Sequence, residues 1–179
     1  MASDDRPTVS RRNLVRALLG RDTPKPRQEP AAATDRHVAG DAAYAAGDYA
    51  AAVAAYRVSV RGDLSNAAVR LRLGHALYAT GQHIQARVEF EHVLRLSGRT
   101  VPAAQLLLAL TLLALDKREK AALVLAAFAD PDRPELEQAA REASEKLEAG
   151  AIPDPTALRR ELQALAEATA LTPEAPAAA

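Results

Sequence analysis

Cysteine and tryptophan are absent from this chain of 179 residues, and only six residues are aromatic, four tyrosines and two phenylalanines. The lack of cysteine excludes disulfides, thiolate zinc sites and cysteine nucleophiles. No run of 18 apolar residues occurs, so no segment is expected to span a membrane. Lys and Arg together number 23, as do Asp and Glu, and this balance does not favour a general binder of polyanions.

The zero net charge conceals an uneven distribution along the chain. Residues 1–30 hold seven Lys/Arg and four Asp/Glu, a balance of +3, whereas residues 130–179 hold five and eleven, a balance of −6. Much of the apolar content is alanine, the strongest intrinsic helix former, and β-branched residues are sparse. Composition therefore predicts an all-α protein with a basic N-terminal end and an acidic C-terminal end.

A pattern of small and aromatic residues occurs twice clearly, and a third time with weaker similarity, between residues 33 and 133. The first two copies are related by an offset of 34 residues, which is a period typical of helical repeat proteins. The equivalent positions are Gly40 and Gly74, Tyr44 and Tyr78, Gly47 and Gly81, Ala52 and Ala86, Tyr56 and Phe90. The third copy follows 35 residues later and has Ala109 and Asp116 in place of the two glycines, then Ala121 and Leu125.

Each copy predicts a hairpin of two helices. The small residue at Gly40, Gly74 or Ala109 allows the second helix to pack closely on the first, and Gly47 or Gly81 provides a left-handed end for the first helix. In this pattern the chain resembles the tetratricopeptide repeat family, with about three repeats. The resemblance implies a short α-solenoid of antiparallel helix hairpins that stack because none can bury its apolar faces alone.

The chain is predicted to divide into four parts. Residues 1–32 are expected to be a disordered basic arm with one short amphipathic helix. Three repeats follow at 33–66, 67–101 and 102–133. Residues 134–171 are expected to form C-terminal capping helices. One apolar stripe of these helices is Leu136, Ala140, Ala143 and Leu147, and another is Leu158, Leu162 and Leu165. Residues 172–179 are expected to form a disordered tail.

The arm has an unusual stretch between Ser10 and Gly20. Its basic side chains are Arg11, Arg12 and Arg16, and its apolar face is Leu14, Val15, Leu18 and Leu19. The order of residues resembles the twin-arginine export motif, but Arg16 interrupts the apolar run that an export signal needs. A cytoplasmic location is therefore expected. The stretch is interpreted as a chance basic helix, as a helix that docks in a protein groove, or as a membrane-surface or export segment.

Proteins of the tetratricopeptide family usually bind partners on the concave surface lined by the first helix of each hairpin, here called the first-helix face. The resemblance implies that a protein or peptide partner would bind there. The residues that it assigns to this groove are His37, Asp41, Tyr44, Leu71, Arg72, His75, Tyr78, Leu106, Leu110 and Leu113. The row Leu106, Leu110 and Leu113 marks an exposed interaction site unless something in the chain covers it.

No motif for catalysis occurs in the sequence. The four histidines form no i, i+4 pair, and no phosphate-binding glycine loop or nucleophile motif is present, so neither an enzyme, nor a metal, nor any other cofactor is expected. The arginines of the repeats are not accompanied by an aromatic ladder, so no nucleic acid is expected as a partner.

Three functions are consistent with this sequence. The first is a protein-interaction adaptor or scaffold that binds a peptide or helix in the groove, with its own arm as a competing ligand. The second is a homo-oligomeric assembly module that uses the leucine row as its contact. The third, suggested only by the twin-arginine resemblance, is an accessory factor or chaperone of exported redox enzymes.

Overall fold

A computed structural model describes residues 30–98, 101–152, 154–169, 171 and 173, with side chains from residue 37 onward. All regular structure in this part of the chain is helical, which confirms the all-α prediction. Eight helices occur in it: α1 Pro30–Ala45, α2 Tyr49–Gly62, α3 Ala67–Ala79, α4 His83–Leu96, α5 Pro102–Ala114, α6 Arg118–Ala126, α7 Pro134–Glu148 and α8 Pro155–Ala168. The first helix thus begins three residues before the expected start of the first repeat.

The helices begin where local hydrogen bonding favours a start. The Asp48 carboxylate accepts a hydrogen bond from the Ala51 N–H before α2, and the Asn66 side chain accepts one from the Val69 N–H before α3. Each satisfies one of the free N–H groups of a first helical turn. The helices α5, α7 and α8 begin with proline, whose missing N–H costs nothing there, and α8 also has the Asp154 carboxylate, which accepts a hydrogen bond from the Thr156 N–H.

The turn inside each hairpin is the same in all three copies. Gly47, Gly81 and Asp116 have φ angles of 75°, 76° and 52°, and the N–H of the next residue bonds to the carbonyl five residues before it, at 2.8–2.9 Å. This is the left-handed C-terminal motif that glycine favours. The glycine missing from the third copy is replaced by an aspartate, one of the few other residue types that tolerate this conformation.

Close helix crossings follow the repeat as predicted. A Cβ atom added to Gly40 would lie 2.6 Å from the ring of Tyr56, and one added to Gly74 would lie 2.6 Å from the ring of Phe90. Both rings are completely buried. The equivalent alanines of the second helices, Ala52, Ala86 and Ala121, are also completely buried.

Consecutive helices from α1 to α6 pack against one another, and the first helices of neighbouring hairpins also touch, α1 with α3 and α3 with α5. This arrangement is a repeat-like solenoid. The C-terminal helices depart from a simple stack: α7 packs on α6, whereas α8 turns back and packs on α5 as well as on α7. The predicted stripe of α7 is buried, and of the α8 stripe Leu158 and Leu162 are buried and Leu165 is partly buried.

Among the residues that the structure describes, no helix has the combination of length and apolarity that crossing a membrane requires.

A buried ion pair joins the two helices of the second hairpin. The Arg70 guanidinium contacts the Glu89 carboxylate at 2.6 Å, and its Nε donates to the Leu64 carbonyl at 2.9 Å. The exposed fractions of the two side chains are 7% and 17%. Replacing Glu89 with alanine should therefore lower the free energy of unfolding by about 3 kcal/mol, because it leaves the charge of Arg70 buried without a partner.

Urea unfolding measures this loss, and Glu91→Ala is the matched control on the same helix. Glu91 pairs with Arg87 at 3.4 Å, but its side chain is 46% exposed. Such surface pairs contribute roughly 0–1 kcal/mol, so the control should lose much less. Equal losses in the two variants would show that burial of the Arg70 pair carries no special weight.

Candidate functional site

The structure places the predicted groove residues on the first helices of the three hairpins, α1, α3 and α5. It does not leave them as one open groove. The first-helix face has an aliphatic end on α5, a polar cluster around Asp41, and an aromatic end around Tyr44 and Tyr78, and each is described below.

The aliphatic end is closed, so the expectation of an exposed leucine row is wrong. Leu106, Leu110 and Leu113 are only 1%, 1% and 3% exposed. They belong to one buried cluster with Leu158, Leu162 and Ala166 of α8, the helix that packs on α5. A row of this kind has to be removed from water, and the chain's own C-terminal helix supplies the cover.

The polar cluster ties three helices together through Asp41. Its Oδ1 accepts a hydrogen bond from the Tyr56 hydroxyl at 2.6 Å and lies 3.1 Å from Arg72 Nε, while its Oδ2 lies 3.3 Å from His37 Nε2. Burial and the Asp41 hydrogen bond both raise the pKa of Tyr56, so its hydroxyl remains a donor. The carboxylate of Asp41 is thus already engaged by α1, α2 and α3.

At the aromatic end, Tyr44 and Tyr78 are 6% and 9% exposed, so neither ring projects freely from a groove. The Tyr44 hydroxyl lies 2.6 Å from His75 Nδ1 and donates to the Pro173 carbonyl at 3.1 Å. Pro173 is itself buried, and the other residues of the tail predicted at 172–179 lie outside the described part of the chain.

The contacts of His75 indicate its tautomer. Burial lowers the pKa of His75, so the ring is neutral near pH 7. A single arrangement satisfies both contacts of the Tyr44 hydroxyl: His75 Nδ1–H donates to the Tyr44 oxygen, and the Tyr44 O–H donates to Pro173. In this arrangement His75 Nε2 is a bare acceptor.

Beside these rings α8 leaves a cleft of about 540 Å³. Its walls are formed by the ends of α1 and α3, the start of α2, two polar residues of α8 and the chain after α8. The lining residues are Tyr44, Ala45, Tyr49, His75, Tyr78, Ala79, Gln163, Glu167 and Pro173. We call this space the aromatic cleft.

A hydrogen-bonded chain sets the polar wall of the aromatic cleft. The Tyr78 hydroxyl donates to Gln163 Oε1 at 3.2 Å, and Gln163 Nε2 donates to Glu167 Oε1 at 3.0 Å. Gln163 and Glu167 lie one helical turn apart, so both side chains share a face of α8. The Glu167 carboxylate is thereby held at the cleft with its second oxygen accepting no hydrogen bond from the described residues.

Sequence reasoning missed Tyr49, Gln163, Glu167 and Pro173. Tyr49 opens a second helix, which the family resemblance does not place at the groove. The spacing of Gln163 and Glu167 is visible in the sequence, but nothing there shows which surface they meet.

Two groups of predicted site residues remain. Leu71 is partly buried against the core. The arm residues predicted to dock in a groove lie outside the described residues; they are Arg11, Arg12, Leu14, Val15, Leu18 and Leu19.

No cluster of three or more possible metal ligands occurs among the residues that the structure describes. His37 contacts Asp41, whereas His75 contacts Tyr44. Neither a scan of protein-family models nor a search of curated proteins finds a match for this chain.

Proposed function

We propose that this protein is a non-enzymatic interaction module of the tetratricopeptide type, which acts in the cytoplasm as an adaptor and binds a protein or peptide partner on its first-helix face. One observation carries the proposal: this face already accepts an amphipathic helix, α8, through buried leucines and a few polar contacts. Laying an apolar helix face into a groove is a common mode of peptide recognition.

Because α8 covers the aliphatic end, the partner's proposed contact is the aromatic cleft. The aliphatic end is filled, and Asp41 is engaged within the chain, whereas the cleft is open and has tyrosine rings and a carboxylate on its walls. Tyrosine is enriched in protein interfaces because its ring offers apolar area and its hydroxyl a hydrogen bond. A partner would enter beside α8, or would displace it.

Site-specific photo-crosslinking tests this function. A benzophenone amino acid placed at Ala45 or Ala79, both exposed residues of the cleft wall, should capture a discrete protein in cells that naturally express the chain. The matched control is the same amino acid at Ala54, an exposed position on α2 that does not line the cleft. Equal capture from all three positions, or none from the cleft positions, contradicts the proposal.

The two other functions have less support. The homo-oligomeric module was expected to use the leucine row, which α8 now covers, and sedimentation over a range of concentrations tests it directly. The accessory role with exported proteins depends on residues 10–20, which lie outside the described part of the chain.

A further inference from the structure

The aromatic cleft concentrates the chain's few aromatic side chains. Three of the four tyrosines line it, together with His75. The ring centroids of Tyr44, Tyr49 and His75 lie 5.5–5.6 Å from one another with tilted or edge-to-face geometry. Tyrosine faces carry negative charge density and attract a cation placed within about 6 Å.

The charge of the side chains that line the cleft also favours a cation. Glu167 is the single charged side chain among the described residues that line the cleft, and His75 is neutral. Two arginines lie near enough to affect the tyrosines: Arg72, which is paired with Asp41, and Arg159, which acts on Tyr78 and His83. Because Arg72 is neutralised by its partner, Arg159 is the main opposing charge.

The hydrogen-bonding groups also match a cation with several N–H donors. The second oxygen of Glu167 accepts no hydrogen bond from the described residues, and the tautomer of His75, which also lines the cleft, leaves its Nε2 as an acceptor. A guanidinium has five N–H donors and a flat face that stacks on aromatic rings. A lysine ammonium has three N–H donors but no flat face that stacks on aromatic rings.

We propose that the aromatic cleft binds the guanidinium group of an arginine, and that the arginine comes from residues 11–16 of this same chain. This inference rests on the proposed function, in that the first-helix face is the binding surface, and it names the ligand that occupies the surface before a partner does. The apolar residues of that segment cannot pack on the leucine row, because α8 already covers this row.

The length of the chain permits this contact. Arg16 precedes Pro30, the first residue of α1, by 14 residues, which span at most about 46 Å when extended. Tyr44 lies near the other end of α1, about 21 Å away along the helix axis. A tether that can span this distance keeps the arginine near the cleft, so a weak contact can form within one chain.

The experiment uses the full chain with labelled tyrosine rings, which NMR resolves because there are only four. The occupant is removed by the substitutions Arg11→Gln, Arg12→Gln and Arg16→Gln, and a synthetic peptide of residues 9–20 is then titrated. The ring signals of Tyr44, Tyr49 and Tyr78 should differ between the native and substituted chains, and the peptide should restore the native positions. A peptide with the three arginines replaced by glutamine should bind at least about tenfold more weakly.

Variants of α8 test the charge. In the substituted chain Glu167→Gln should weaken the peptide about fivefold, Arg159→Gln should tighten it about twofold, and the control Glu161→Gln, exposed on the same helix and outside the cleft, should change it less than twofold. Equal binding of the native and glutamine peptides, or tyrosine signals that do not respond, would overturn the inference. Partner capture from Ala45 and Ala79 would still stand in that case, so the two failures are distinguishable.

Discussion

Replacing Gly74 with leucine should lower the free energy of unfolding by about 3 kcal/mol, the upper end of the usual cost of overpacking. Even the first carbon of the new side chain would lie 2.6 Å from the Phe90 ring, much closer than carbon atoms approach in proteins. Phe90 is completely buried, so its ring cannot turn out into solvent without exposing apolar area. The higher helix propensity of leucine offsets about 1 kcal/mol at most and does not reverse the sign.

Urea unfolding followed by circular dichroism measures this change, and two further variants test its cause. Ala68→Leu adds a leucine at an exposed position of the same helix, so it should change stability by less than about 0.5 kcal/mol. Gly40→Leu should cost about as much as Gly74→Leu, because Gly40 has the same relation to Tyr56. If Gly74→Leu leaves the free energy of unfolding unchanged, the close crossing at Gly74 that supports the repeat register does not exist.

The repeated hairpins could be predicted from the sequence because their determinants are local. Gly47 and Gly81 end helices through their own backbone geometry, and Gly40 and Gly74 fix the closest crossing within one hairpin. Even the third hairpin, which lacks both glycines, keeps the same turn through Asp116. Each of these features depends on residues less than 20 positions apart.

The position of α8 could not be predicted, because burial of apolar area is not directional. The stripe of Leu158, Leu162 and Leu165 indicates that α8 packs on something, and the leucine row of α5 indicates that something covers it. Nothing in either pattern pairs the two, since the stripe would equally suit the end of the stack or another protein. The aromatic cleft was missed for the same reason, as two of its polar residues come from α8.

If the first-helix face binds a partner as proposed, the docked α8 affects which partners can bind. A partner that needs the aliphatic end would have to displace α8, and its association constant would be multiplied by the fraction of molecules in which α8 is undocked. A partner that needs only the aromatic cleft avoids this competition. The strength with which α8 docks therefore determines which part of the first-helix face is available.

Replacing Leu162 with aspartate should detach α8 and lower the free energy of unfolding by about 4 kcal/mol. Leu162 is 1% exposed and is the most deeply buried leucine of α8. Loss of a buried leucine side chain costs about 2–5 kcal/mol, and a carboxylate cannot remain in its place without a partner. The favoured outcome is release of the helix, which uncovers Leu106, Leu110 and Leu113 and breaks the Tyr78–Gln163 hydrogen bond.

Three measurements follow this release, with Ala164→Asp as the matched control, because it adds the same charge at an exposed position of the same helix. Leu162→Asp should increase binding of a hydrophobic dye, lose amide protection in α8 while α1–α4 remain protected, and lower the urea midpoint, whereas the control should do none of these. If the two variants behave alike, α8 does not cover the leucine row. If protection is instead lost throughout α1–α4, the repeats do not fold without α8, and α8 is a structural part of the solenoid and not a ligand that a partner can displace.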